Sequence, residues 1–228
     1  MAASTFAHDE RLEWRARETL GSSSDAIYEM VADAVRSRRI AGERLVDVGC
    51  GQGALWRVLR DRFPTYCGVD AVRYEGLPTD AEFRQADLDQ PGWPVEAADA
   101  DLVVALETIE HLENPWAFMR DLVRIARPGG WVVVTTPNQL SWLSLATLIV
   151  NQRFSAFTDV SYPVHRTALL ESDLRRMAGE CHLKDVAVRY SYWGRVPKTP
   201  WHYPRALARR FPRALSDNLM LIGRRSDG

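Results

Sequence analysis

The 228-residue chain carries 29 basic and 30 acidic residues for a net charge of -1, with 46% hydrophobic and 26% charged residues. That balance suits one globular domain with insertions and gives no electrostatic footprint for DNA. Cys50, Cys67 and Cys181 are widely spaced and form no C-x-x-C pair, which argues against a disulfide framework or a thiolate metal site and fits a reducing, cytoplasmic setting.

Residues 1–23 are polar, with His8, Asp9, Glu10 and Arg11 where a secretory signal needs an apolar core. They are expected to form a mobile or ligand-ordered arm ahead of a single domain over 24–228. "SDAIYEMVADAVRSRR" sets Ile27, Met30, Val31, Ala34 and Val35 at helical spacing, with Ser24 or Asp25 as the cap. Arg44 to Val48 reads as a buried strand. Ala54 to Phe63 reads as a helix with Leu55, Val58 and Leu59 inward. "YCGVD", ending at Asp70, is a second strand, "EFRQADL" a third and "ADLVVALE" a fourth. Pro115 to Ala126 follows as a helix with Trp116, Met119, Leu122 and Val123 on one face.

"GGWVVVTTPN" is a fifth strand, and its unbroken β-branched run predicts cover on both faces. An insertion over 139–163, a helix from Glu171 to Cys181, and strands at Asp185 to Ser191 and Asp217 to Ile222 complete the chain, with a second insertion over 193–216. Strands alternating with helices predict a doubly wound α/β sheet, mostly parallel. No apolar run approaches ~18 residues, so no stable membrane insertion is expected.

In such sheets ligands bind beyond the carboxyl ends of the strands. "VDVGCGQGAL" fits two patterns: G-x-G-x-x-A through Gly49, Gly51 and Ala54, or D-x-G-x-G-x-G through Asp47, Gly49, Gly51 and Gly53. The first is a dinucleotide fingerprint, but that fingerprint has an apolar strand residue where Asp47 stands. A carboxylate there balances a cationic amino end instead. Asp70 is placed to accept hydrogen bonds from both hydroxyls of a ribose, and Asp87 from an adenine amine, with Leu88 or Ala86 against the ring.

With "LVDVGCGQG", "GVD" and "ARPGGWVVVTTPN", residues 25 to 191 resemble the class I S-adenosylmethionine-dependent methyltransferases. The resemblance implies a Rossmann-like seven-stranded sheet with an antiparallel last strand and S-adenosylmethionine as cofactor. It implies Asp47, Gly49, Cys50, Gly51, Gly53, Asp70, Ala71, Asp87, Leu88 and Leu106 as the cofactor-binding residues.

Past the fourth strand, "LETIEHLENP" holds Glu107, Glu110 and His111 at spacings that share one face if the segment turns helically, and "YPVHRTALL" supplies His165. Two carboxylates and two imidazoles suit a hard divalent ion, magnesium or manganese. The E-x-x-E-H pattern is similar to a metal-dependent O-methyltransferase branch of the class that includes ubiquinone-pathway and small-RNA enzymes. That resemblance makes Glu107, Glu110, His111 and His165 the metal ligands, with His111 and Glu107 catalytic. Without metal, His111 is a candidate general base. The plain alternative is that these residues open and cap a loop or helix.

Residues 139–152 are uncharged and rich in Leu, Trp and Ile, which suits a lid, a homodimer surface or a helix packed on the core. Trp193 to Arg213 carries Arg195, Lys198, Arg205, Arg209, Arg210 and Arg213 with no acid, interleaved with Trp193, Trp201, Tyr203 and Phe211. That mixture suits sugars, anions or single-stranded nucleic acid, or is a solvated basic face. The reading is a cytoplasmic O-methyltransferase acting on a hydroxyl of a small molecule, a sugar or glycan precursor ahead of a phenol or quinone precursor. An RNA 2'-O-methyltransferase and a non-catalytic cofactor-binding regulator are the alternatives. The near-neutral charge weighs against the RNA reading. Loss of turnover with retained cofactor binding, on mutating Glu107, Glu110 and His111, separates an enzyme from the regulator.

Overall fold

A computed structural model describes residues 13–14 and 21–227. Most of the expected N-terminal arm, with His8 to Arg11, lies outside the described residues. The elements run α1 (Asp25–Ser37), β1 (Arg44–Val48), α2 (Ala54–Leu59), β2 (Thr65–Asp70), β3 (Glu82–Gln85), β4 (Ala100–Ala105), a 3-10 turn (Ile109–His111), α3 (Pro115–Ile125), β5 (Ala126–Pro137), α4 (Trp142–Asn151), α5 (Glu171–Glu180), β6 (Lys184–Tyr190), α6 (Arg205–Arg210) and β7 (Asn218–Arg224). The seven strands form one sheet in the order β3-β2-β1-β4-β5-β7-β6. Strands β1 to β5 pair in parallel, while β7 runs antiparallel to both β5 and β6. The expected α/β architecture is therefore present, including the antiparallel last strand.

Apolar side chains are buried on both faces of the sheet. On one, Ile27, Val31 and Val35 of α1 and Leu55, Trp56 and Leu59 of α2 pack against Leu45, Leu102 and Val104. On the other, Phe118, Met119, Leu122 and Ile125 of α3 and Leu174 and Met177 of α5 cover Val46, Val103 and Val132. Helix α3 starts where Asn114 accepts a hydrogen bond from Ala117 N–H at 3.0 Å, with a proline in the first turn.

Several boundaries differ from the sequence expectation, and two of them have a visible cause. Helix α2 stops at Leu59 rather than Phe63 because the Trp56 indole donates to Phe63 O at 3.1 Å and stacks on Tyr66, curling the chain inward. Strand β3 ends at Gln85 because Asp87 makes a turn, accepting from Asp89 N–H through its side chain and from Gln90 N–H through its carbonyl. The first insertion contains α4, which buries only Ser144. Of its apolar side chains Leu143, Leu145 and Leu148 are half-buried, while Trp142, Ile149 and Val150 are exposed.

Candidate active site

The carboxyl ends of β1, β2 and β4 open onto one cavity of about 810 Å³, within the roughly 300–1,000 Å³ typical of small-ligand sites. Its floor is the turn after β1. Gly49 has φ +75°, and a Cβ there would lie 2.2 Å from Thr108 Oγ1. Gly51 has φ +50°, and a Cβ there would lie 2.1 Å from Gly21 O. Both need glycine for backbone conformation and for close approach. The second contact exists because Gln52 N–H donates to Gly21 O at 2.9 Å, bringing Gly21 to Ser24 over the glycine turn to line the cavity. Ser23 N–H is fixed in turn by the Tyr28 hydroxyl at 2.9 Å.

Asp70 accepts from Gly51 N–H at 2.9 Å and from Ala71 N–H at 2.7 Å. Burial raises its pKa and these backbone bonds oppose the rise. Asp47 is buried on β1 and accepts the Tyr66 hydroxyl at 3.0 Å. The β1–β2 register pairs Leu45 with Tyr66 and Asp47 with Gly68, which puts both side chains on one face of the sheet. Burial pushes the Asp47 carboxyl up to about 7, with the Tyr66 bond opposing and the charge of Asp70 adding. Cys50, Ala71, Asp87, Leu88 and Leu106 also line the cavity. Gly53 does not; it is the N-cap of α2.

The glycine turn lines the cavity with bare backbone at Gly49 and Gly51, and two buried carboxyls without an ion pair among the described residues stand at its edge. These features fit a ligand with a vicinal diol and a cationic end, which are the features of S-adenosylmethionine.

Beyond β4 the acidic segment follows the cavity wall. Glu107 takes φ +50°, its N–H donates to Thr135 Oγ1 at 3.0 Å, and its Oε2 accepts from Asn218 Nδ2 at 2.9 Å. Asn218 arrives there because β7 pairs it with Pro137 at the end of β5. Glu110 is fully buried and does not line the cavity, and its carboxyl has no close hydrogen bond among the described residues, only the Thr136 hydroxyl near enough to oppose the effect of burial. Burial pushes its carboxyl up to about 8, and burial plus the neighbouring charge of Glu110 raises Glu107.

The Glu110 carbonyl accepts from Arg166 N–H at 2.9 Å and Thr167 N–H at 3.0 Å, which pins the segment carrying His165 beside His111. The imidazole centroids are 4.8 Å apart. His111 Nδ1 lies 2.9 Å from Val164 O, and His165 Nδ1 lies 2.5 Å from Ala156 O. Each carbonyl requires a proton on Nδ1, which makes Nε2 the basic nitrogen of both rings. Ligand atoms of Glu110, His111 and His165 lie within 4.8 Å of one another, and this group does not include Glu107. One carboxylate and two imidazoles fit a divalent cation.

A third wall comes from the second insertion, where Trp193 stacks on His202 at 4.2 Å and Arg195 pairs with Asp217 at 2.7 Å. All four line the cavity. Tyr66, Asn218 and the Gly21 contact were missed from sequence because each reaches the site through long-range pairing, and Tyr28 because its hydroxyl acts on Ser23 from within a helix face read as apolar. Tyr66 alone left a trace, as a polar-headed residue inside the strand that ends at Asp70.

A sheet of this order, with a glycine turn after β1 and an acid ending β2, defines the class I S-adenosylmethionine-dependent methyltransferase fold. Residues 24–213 match the methyltransferase domain family, and the chain belongs to it. It is similar to the ubiquinone biosynthesis O-methyltransferase of Rhodopseudomonas palustris (strain BisB18), 34% identical over 121 residues covering 50% of this chain and 47% of that one. The chloroplastic tocopherol O-methyltransferase of Arabidopsis thaliana is 34% identical over 132 residues, covering 49% and 37% respectively. The matches thus span about half or less of these curated relatives' length. Among solved structures, a SAM dependent methyltransferase from Archaeoglobus fulgidus superposes with a TM-score of 0.63 at 15% identity, covering 91% of this chain and 97% of that one.

Proposed function

We propose that the chain transfers the methyl group of S-adenosylmethionine to a hydroxyl oxygen of a small phenolic acceptor, with Glu110, His111 and His165 holding magnesium or manganese. The observation that carries this reading is the continuity of one cavity from Gly51 and Asp70 to His111 and His165. S-adenosylmethionine brings a methyl group on a cationic sulfur, and a divalent ion lowers the acceptor hydroxyl's pKa. Asp47 balances the amino end, Asp70 accepts from the ribose, and Asp87 and Leu88 receive the adenine. Gly21 to Ser24, ending the arm, exclude water over the glycine turn. His111, with Nδ1 held by Val164 O to fix the ring, would give Nε2 to the ion, which leaves the hydroxyl proton to Glu107. Glu107 turns its second carboxyl oxygen to the acceptor while Asn218 holds the first.

The phenolic acceptor draws on the names of the two relatives. A saccharide acceptor is the second reading, favoured by the Trp193–His202 stack and Arg195 on the cavity wall. Free cysteines throughout suit a reducing, cytoplasmic compartment. Residues 24–228 act as one catalytic unit in this reading.

The test is incubation with S-adenosylmethionine, a panel of catechols, simple phenols and sugar nucleotides, and manganese or chelator, read by mass spectrometry. A phenol gaining one methyl group in a metal-dependent way is expected, and His111→Ala should abolish it while retaining S-adenosylhomocysteine binding. Methylation of sugars alone transfers the assignment to the second reading. Full activity in chelator or in His111→Ala refutes the mechanism.

A further inference from the structure

The large hydrophobic side chains exposed among the described residues are concentrated in two segments. Apart from Trp14, they are Trp142, Ile149, Val150, Val160 and Tyr162 in the first insertion and Trp201, Leu207 and Phe211 in the second. The two segments adjoin in space. Trp142 N–H donates to Ala214 O at 2.8 Å, and Asn138 Nδ2 donates to Arg213 O at 2.7 Å. Helix α4 buries Ser144 and half-buries Leu143, Leu145 and Leu148, but leaves Trp142 exposed and Ile149 and Val150 82% and 78% exposed. An uncharged helix that holds three large apolar side chains in solvent, beside further exposed aromatics, marks an interaction surface.

The charge around this patch is one-sided. Lys198, Arg209, Arg210 and Arg213 are exposed with no ion pair among the described residues. The nearby acids already have partners: Asp159 pairs with Arg153, Glu29 with Arg205 and Asp217 with Arg195.

We propose that the face made by α4, the loop after it and α6 docks on the surface of an anionic lipid bilayer. Tryptophan and tyrosine suit the headgroup region, aliphatic tips enter the acyl boundary, and unpaired arginines meet lipid phosphates. A second copy of the chain is the weaker occupant, because a symmetric interface sets the same arginine-rich segment against itself. Val160 is 95% exposed and also lines the cavity, so docking brings the cavity mouth to the bilayer. The surface stands independently of the reaction proposed above.

Flotation of the full chain with vesicles of phosphatidylcholine, with and without phosphatidylglycerol, over a range of salt concentrations tests it. Binding is expected only with phosphatidylglycerol and should weaken as salt rises. The double substitution Arg209→Gln/Arg210→Gln should lower partitioning about thirtyfold. The triple substitution Trp142→Ser/Ile149→Ser/Val150→Ser should abolish flotation without lowering the melting temperature, since all three side chains are exposed. Absence of flotation at low salt overturns the proposal. So does a triple variant that floats normally but converts a dimer to a monomer in ultracentrifugation, which assigns the patch to self-association.

Discussion

Cofactor affinity should depend on pH through Asp47, in a direction fixed by its surroundings. Its carboxyl is 3% exposed, has no ion pair among the described residues, and is pushed up to about 7, chiefly by burial. A cationic amino group is attracted only by the ionised form. As pH falls through about 7 the carboxyl takes up a proton and the attraction is lost. The ionised fraction drops about tenfold between about pH 8 and pH 6, so affinity should drop about tenfold, or ~1.4 kcal/mol. Stability of the unliganded protein moves oppositely. The native carboxyl holds its proton to higher pH than the unfolded one, so its contribution falls as pH rises from about 4 to about 7. Asp47→Asn keeps an acceptor for the Tyr66 hydroxyl and removes the titration. Calorimetric titration with S-adenosylhomocysteine in chelated buffer measures both proteins across that range. Wild-type affinity that is flat with pH, or a slope that persists in Asp47→Asn, refutes the assignment.

Asp70→Ala should weaken S-adenosylhomocysteine binding by about ten- to a hundredfold, the worth of hydrogen bonds to a charged acceptor, and unchanged affinity rejects the ribose assignment. Gly51→Ala places a methyl 2.1 Å from Gly21 O at φ +50°; both affinity and melting temperature should fall, by about 1 kcal/mol or more in stability, and a neutral result means the Gly21 contact does not form. Glu110→Gln should eliminate manganese binding followed by paramagnetic resonance while leaving S-adenosylhomocysteine affinity intact. Manganese bound as tightly as in wild type removes Glu110 from the ligand set.

What could be read from the sequence was whatever local pattern and chain order determine. The first strand was placed at Arg44 to Val48, residue for residue, because an apolar run meets a glycine turn there. The order of strands and glycine turn was enough to put Asp47, Asp70, Asp87 and His111 at one edge of the sheet. Register was not readable, and it is register that brings Tyr66 onto the face of Asp47 and Asn218 onto Glu107. The path of Gly21 over the glycine turn is a tertiary contact with no local signature. Helix α4 stayed open between lid, homodimer surface and packed helix for a different reason: nothing local to it reveals that Leu143, Leu145 and Leu148 find partial cover while Trp142, Ile149 and Val150 do not.

The described acids with shifted pKa values fall into two electrostatic populations. Glu82, Asp101 and Glu171 each have an arginine partner, Arg44, Arg127 and Arg175 respectively, and their pKa values are lowered. Asp47, Asp70, Glu107 and Glu110 are buried deeper, make no ion pair among the described residues, and have raised pKa values. Among the described residues no arginine or lysine forms an ion pair with these four carboxyls, although the chain has 29 basic residues, and leaving them unpaired costs stability that pairing elsewhere does not recover. Such local violations persist where function requires them. In the proposed reading these carboxyls meet different cations: a cationic amino end beside Asp47 in the cavity, and a divalent ion at the cluster of Glu110, His111 and His165. Neither place requires a protein cation, and an arginine in either would occupy the place the proposed ligand takes.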